Sequence, residues 1–115
     1  MPTIQMGSGQ RFLASAVNGL AAKAGGGQAG ATLCTADINR FTTVTTIADS
    51  GLLPAALPGM EITVSNAAAN SMNLFPNTGE QINAGGANAA FAVAGGKTVQ
   101  LSCAVAGQWH GVLSA

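Results

Sequence analysis

Charged side chains are scarce in this sequence. Asp, Glu, Lys and Arg make up 7% of its 115 residues, four acidic and four basic, and they cancel to a formal charge of zero. A soluble domain is typically about 25% charged, so the exterior must be built from Ala, Gly, Ser, Thr, Asn and Gln. Four cations spread along the chain cannot form the basic face that displaces counterions from phosphates, which excludes nucleic acid as a partner. Polybasic docking on a membrane surface is excluded for the same reason. Long apolar runs are missing too. A membrane span needs about 18 consecutive apolar residues, whereas Leu52 to Met60 is broken by Pro54, Pro58 and Gly59, and Phe12 to Ala24 by Ser15, Asn18, Gly19 and Lys23. The first ten residues hold no basic side chain, so no targeting signal is expected. Tyrosine is absent and tryptophan occurs once, which leaves little to stack on bases or sugars.

Site chemistry is equally sparse. His110 is the one imidazole. Paired with Cys34 or Cys103 it would make a nucleophilic couple, but a lone histidine in a strand reads as a structural or surface residue. Asp37, Asp49, Glu61 and Glu80 sit at turns and strand starts without the clustering that acid–base pairs need. Asp37 is expected to pair with nearby Arg40. The triplet Gly96-Lys97-Thr98 lacks the upstream glycine of a phosphate loop, that position being Phe91, and a strand rather than a helix follows it. Two cysteines and one histidine do not make a zinc site. Cys34 and Cys103 read as reduced, buried thiols, with a disulfide between them as the alternative if adjacent strands bring them together. Neither a catalytic group, a metal nor a cofactor is expected, and the chain is read as a non-enzyme.

Pattern is what the sequence does contain. Its hydrophobic fraction is 48%, but much of that is alanine, which buries little area. After an extended arm, Phe12, Leu13, Ala16, Val17, Leu20, Ala21 and Ala24 recur at three- and four-residue intervals, the spacing of a short amphipathic helix. Gly25, Gly26 and Gly27 end it. From there β-branched residues take over in Ala31 to Asp37 and Asn39 to Ala48. Phe41, Val44 and Ile47 are spaced by three, which asks for a bulge or bend. Leu52 to Leu57 reads as an irregular crossover. Met60 to Ser65 alternates cleanly and Ser71 to Phe75 resumes the alternation, a pattern that predicts a hairpin. Phe91 to Val93 and Val99 to Cys103 predict a second hairpin over Gly95-Gly96, and a last strand, Gln108 to Leu113, carries Trp109. No internal repeat of fixed period is visible. About seven to eight short strands with regular turn signals predict a mainly β fold, an antiparallel β-sandwich or jelly-roll-like barrel. On this reading residues 28–115 form the β domain, and 1–27 form the arm, short helix and glycine linker.

Residues 60–115 carry a specific order. A strand ending in Val64-Ser65-Asn66 leads to a small-residue turn and a second strand ending in Phe75-Pro76. Then come the turn Asn77-Thr78-Gly79, the anchor Gln81-Ile82-Asn83, a Gly/Ala/Asn loop, the turn Gly95-Gly96, and Gln108-Trp109. This run resembles a group of small tailed-bacteriophage virion proteins, and the likeness extends more weakly to Gln28 to Ala48. The resemblance implies a capsid decoration (cement) protein, without enzymatic activity, bound as a homotrimer to the major capsid protein or other virion subunits. It would be located at the capsid surface of a virion assembled in the host cytoplasm. Zero net charge and low charge density fit association on their own account. Phe12, Leu13, Val17 and Leu20 are the expected interface residues, and Trp109 is expected as a core or interface anchor. The rival expectation is a tail or fibre component whose Gly/Ala/Asn loops contact a host surface glycan.

Overall fold

In the computed structural model, residues 13–25 and 27–115 are described. They form ten strands: β1 (Ala16–Ala21), β2 (Thr32–Leu33), β3 (Ile38–Thr43), β4 (Ser50–Leu52), β5 (Glu61–Asn66), β6 (Met72–Phe75), β7 (Gln81–Ile82), β8 (Phe91–Val93), β9 (Thr98–Val105) and β10 (Gln108–Leu113). From β1 to β9 consecutive strands alternate between two sheets, so the chain winds as a β-solenoid. Three rungs, β1–β2, β3–β4 and β5–β6, stack in parallel. A C-terminal section then reverses direction: β9 runs antiparallel to β5, β10 to β9, and β8 to β6. The sheet orders are β1-β3-β5-β9-β10-β7 and β2-β4-β6-β8.

This architecture corrects the expected antiparallel sandwich or jelly roll. The reason lies in who pairs with whom. Alternation along a strand reports that one face is buried, but it is silent on the neighbouring strand. Met60 to Ser65 and Ser71 to Phe75 hold strands where expected, yet β5 lies in the six-stranded sheet and β6 in the four-stranded one. The turn between them is a rung corner, not a hairpin. The same holds for β8 and β9 around Gly95-Gly96. The hairpin that forms instead joins β9 to β10. The rungs also explain the lack of a visible repeat, because their lengths differ. Ala16 lies beside Ile38, 22 residues on, and Ile38 beside Thr63, 25 on. In the second sheet Thr32 lies beside Gly51, 19 on, and Ser50 beside Asn73, 23 on.

The expected N-terminal helix is a strand, and no helix occurs among the described residues. Its three-residue apolar spacing has a different cause. Val17 lies opposite Asn39 and Leu20 opposite Phe41, so three steps on β1 match two on β3. The extra residue is a bulge at Asn18-Gly19, and Gly19 adopts φ +82° there, a backbone state that glycine reaches without steric cost. Val17 and Leu20 thus turn to the same side, as they would on a helix. Since β1 pairs with β3, residues on both sides of the expected boundary at 27 contribute to the first rung. Beyond β3, Val44 is buried while Ile47 is 69% exposed. There the chain leaves the sheet at a corner, held by the buried Asp49, whose carboxylate accepts the Thr46 N–H.

The core is the narrow space between the sheets. Phe41, Val64, Val99, Leu101 and Trp109 enter it from one side, and Leu53, Met72, Leu74 and Val93 from the other. Two amides are buried with them. Asn39 exchanges two hydrogen bonds with the backbone of Ala36. Asn66 donates to the carbonyls of Asn70 and Val93 and accepts from the Ala68 N–H. Replacing Asn66 by Ala should cost about 2–4 kcal/mol in urea unfolding, because buried partners lose their hydrogen bonds. Asn77→Ala, at an exposed turn, should stay within about 0.5 kcal/mol of the parent. A Cβ at Gly95 would run into the Ala69 carbonyl oxygen, with the Ala68 oxygen also close. Gly95→Ala should therefore destabilise by about 1–3 kcal/mol in the same measurement.

Candidate functional site

The outward face of the six-stranded sheet is assembled by register. Ala16, Ile38, Thr63, Gln100 and Val112 stand side by side across five strands. A second row runs Glu61, Ser102, His110, and a third Arg40, Ser65, Thr98. Strand alternation puts these side chains outside because Asn39, Phe41, Ile62, Val64, Val99 and Leu101 point inward. Ile38 is 42% exposed and Val112 is 64% exposed, two apolar residues on what should be the polar side. Ile38, Thr63, Gln100 and Val112 line an open groove of about 460 Å³, bordered by Asp37, Glu61 and His110. A neighbouring hollow of about 590 Å³ is lined by Gln81, Asn83, Gln108 and His110. The four-stranded sheet has its own outward apolar row, Leu33, Leu52 and Phe75.

The polar groups at the rim are tied to the scaffold. Asp37 accepts both the Ser15 N–H and the Ser15 hydroxyl, at 3.1 and 2.9 Å. Arg40 donates to Asn18 Oδ1 at 2.9 Å, so the expected Asp37–Arg40 pairing gives way to two separate cross-strand contacts. Ser65 and Thr98 share a hydrogen bond of 3.0 Å. Glu80 accepts the Ala56 N–H and holds a corner. In the second row Ser102 stands between Glu61 and His110. A nucleophile relay needs the imidazole in the middle, and this order does not provide it.

The residues singled out from the sequence are dispersed. Phe12 lies outside the described residues. Leu13 is 77% exposed, while Val17 and Leu20 are half-buried on the first rung. Trp109 is wholly enclosed in the core, and its indole Nε1 has no hydrogen-bond partner among the described residues. Cys34 and Cys103 both belong to the core and both are free thiols. Cys103 donates to the Val105 carbonyl. His110 faces outward, so neither cysteine pairs with it. The lysine of the Gly96-Lys97-Thr98 triplet sits in a turn strapped to Asn66: Gly96 donates to the Asn66 carbonyl and Asn66 N–H to the Lys97 carbonyl. Ile38 and Val112 were legible in the sequence only as apolar residues out of phase with their strands' buried set.

Burial pushes the Cys34 thiol from an ordinary 9.0 to about 12. Between those values the unfolded chain ionises this group and the folded chain does not. Folding stability should therefore fall as pH rises from 9 to 12. Cys34→Val should flatten that part of the pH–stability curve, read by urea unfolding against the parent. Comparison with known proteins finds no matching family model, no matching curated protein and no matching solved structure.

Proposed function

We propose that this chain is a non-enzymatic structural subunit of a virion, of the capsid decoration type, which self-associates and docks on a larger shell. The observation that carries this reading is the row Ile38, Thr63, Gln100 and Val112, where two exposed apolar groups flank two uncharged polar ones across a continuous sheet. The four side chains of the row carry no charge and lose little by desolvation when covered, while Asp37, Glu61 and His110 stay at the border of the groove. The order of residues 60–115, with its likeness to small tailed-phage virion proteins, supports the virion setting. Zero net charge supports self-association.

The tail or fibre reading draws on a different observation. Gln81, Asn83, Gln108 and His110 converge on one hollow beside the Gly/Ala/Asn loop, and amides of this kind pair well with sugar hydroxyls. Occupancy on reconstituted capsids, measured by electron microscopy, separates the two. The double variant Ile38→Glu, Val112→Glu should lower capsid occupancy by at least about tenfold, the loss expected when charges are buried unpaired. Unchanged occupancy would sink the decoration reading. Glycan-array binding lost on Gln108→Ala would support the alternative.

A further inference from the structure

The geometry points to Asn18-Gly19 as a self-modifying site, at which the chain converts an asparagine to a mixture of aspartate and isoaspartate through a cyclic imide. Three features of the bulge converge on this chemistry. Asn18 and Gly19 have no register partners, since the pairing of β1 with β3 passes from Val17 directly to Leu20. The space beside Gly19 is open, with nothing within 4 Å of where a Cβ would stand. The Gly19 nitrogen can therefore approach the side chain that precedes it without a β-carbon in the way. Finally, the Asn18 amide is polarised. Arg40 Nη1 donates to Asn18 Oδ1 at 2.9 Å, and both residues are exposed to water.

The reaction balances without any co-reactant beyond solvent. The Gly19 backbone nitrogen forms a bond to Asn18 Cγ and gives up its proton through water to the departing amide. The negative charge that develops falls on Oδ1, where the Arg40 guanidinium already stands, the arrangement that stabilises an oxyanion. The bond from Cγ to Nδ2 breaks and ammonia leaves. Water then opens the five-membered ring at either carbonyl. Opening at one carbonyl yields aspartate, whose carboxylate keeps Arg40 as partner. Opening at the other yields isoaspartate, which adds a backbone methylene to β1 between Val17 and Leu20. The first rung is thus the part of the solenoid that changes with age.

Peptide mapping by mass spectrometry tests this on the full chain held at fixed temperature and mildly alkaline pH. A synthetic peptide of residues 13–23, which has Asn18-Gly19 but lacks Arg40, serves as reference. Asn18 should convert ahead of every other asparagine and at least as fast as in the peptide. Arg40→Ala should slow it about tenfold, the equivalent of one charge-assisted hydrogen bond. Conversion slower in the folded chain than in the peptide would overturn the inference, as would an unchanged rate in a folded Arg40→Ala variant. Should that variant fail to fold, the comparison with the peptide decides alone.

Discussion

The buried amide of Asn66 is the joint on which the rest of the fold depends. It stands at the end of β5, where the third parallel rung must turn into its corner and the antiparallel section must begin. Its side chain closes the corner through Asn70 and Ala68 and reaches β8 through the Val93 carbonyl. Its backbone holds the turn at Gly96 and Lys97 that launches β9. One residue that is 1% exposed thus ties three other segments to β5. Satisfying a buried amide so completely specifies geometry as well as stability, because any other corner would leave its donors without partners.

Stacked rungs set what the surface can be. Each strand gives its inward side chains to a thin shared core, and its outward side chains fall into rows perpendicular to the strands. A chain with few charges produces rows of Thr, Ser, Gln and isolated aliphatics. The Ile38, Thr63, Gln100 and Val112 row is one such product, assembled from residues far apart in the chain. Its openness and uncharged centre make it suited to the proposed contact with a shell. The same register governs the bulge on β1, which sets Asn18 against Arg40.

Alternation in Met60 to Ser65, Phe91 to Val93, Val99 to Cys103 and Gln108 to Leu113 was legible because each segment buries one face and wets the other. The corner after Phe41 announced itself as an imperfect alternation. The bulge at Gly19 was misleading, since one inserted residue turns a two-residue period into a three-residue one and imitates a helix. Hairpins were inferred from turn residues, but Gly, Asn and Pro turn a rung corner as readily as a hairpin. The outward rows were not legible at all, because a row exists only once register is known.

By itself the sequence determined that the chain is rich in strands, where most of them lie, which side chains the cleanly alternating ones bury, and that the surface is nearly free of charge. These follow from local propensity and from the cost of exposing apolar or burying polar groups. Only the tertiary structure decided that the strands stack as solenoid rungs, that Trp109 belongs inside, that Cys34 and Cys103 remain separate thiols, and that Ile38 and Val112 share a face. Those outcomes depend on pairings 19 to 25 residues apart within the rungs and on others, such as Thr63 with Gln100 and Trp109 with Ile82, in the C-terminal section, and pairing is a property of register between strands rather than of any one strand.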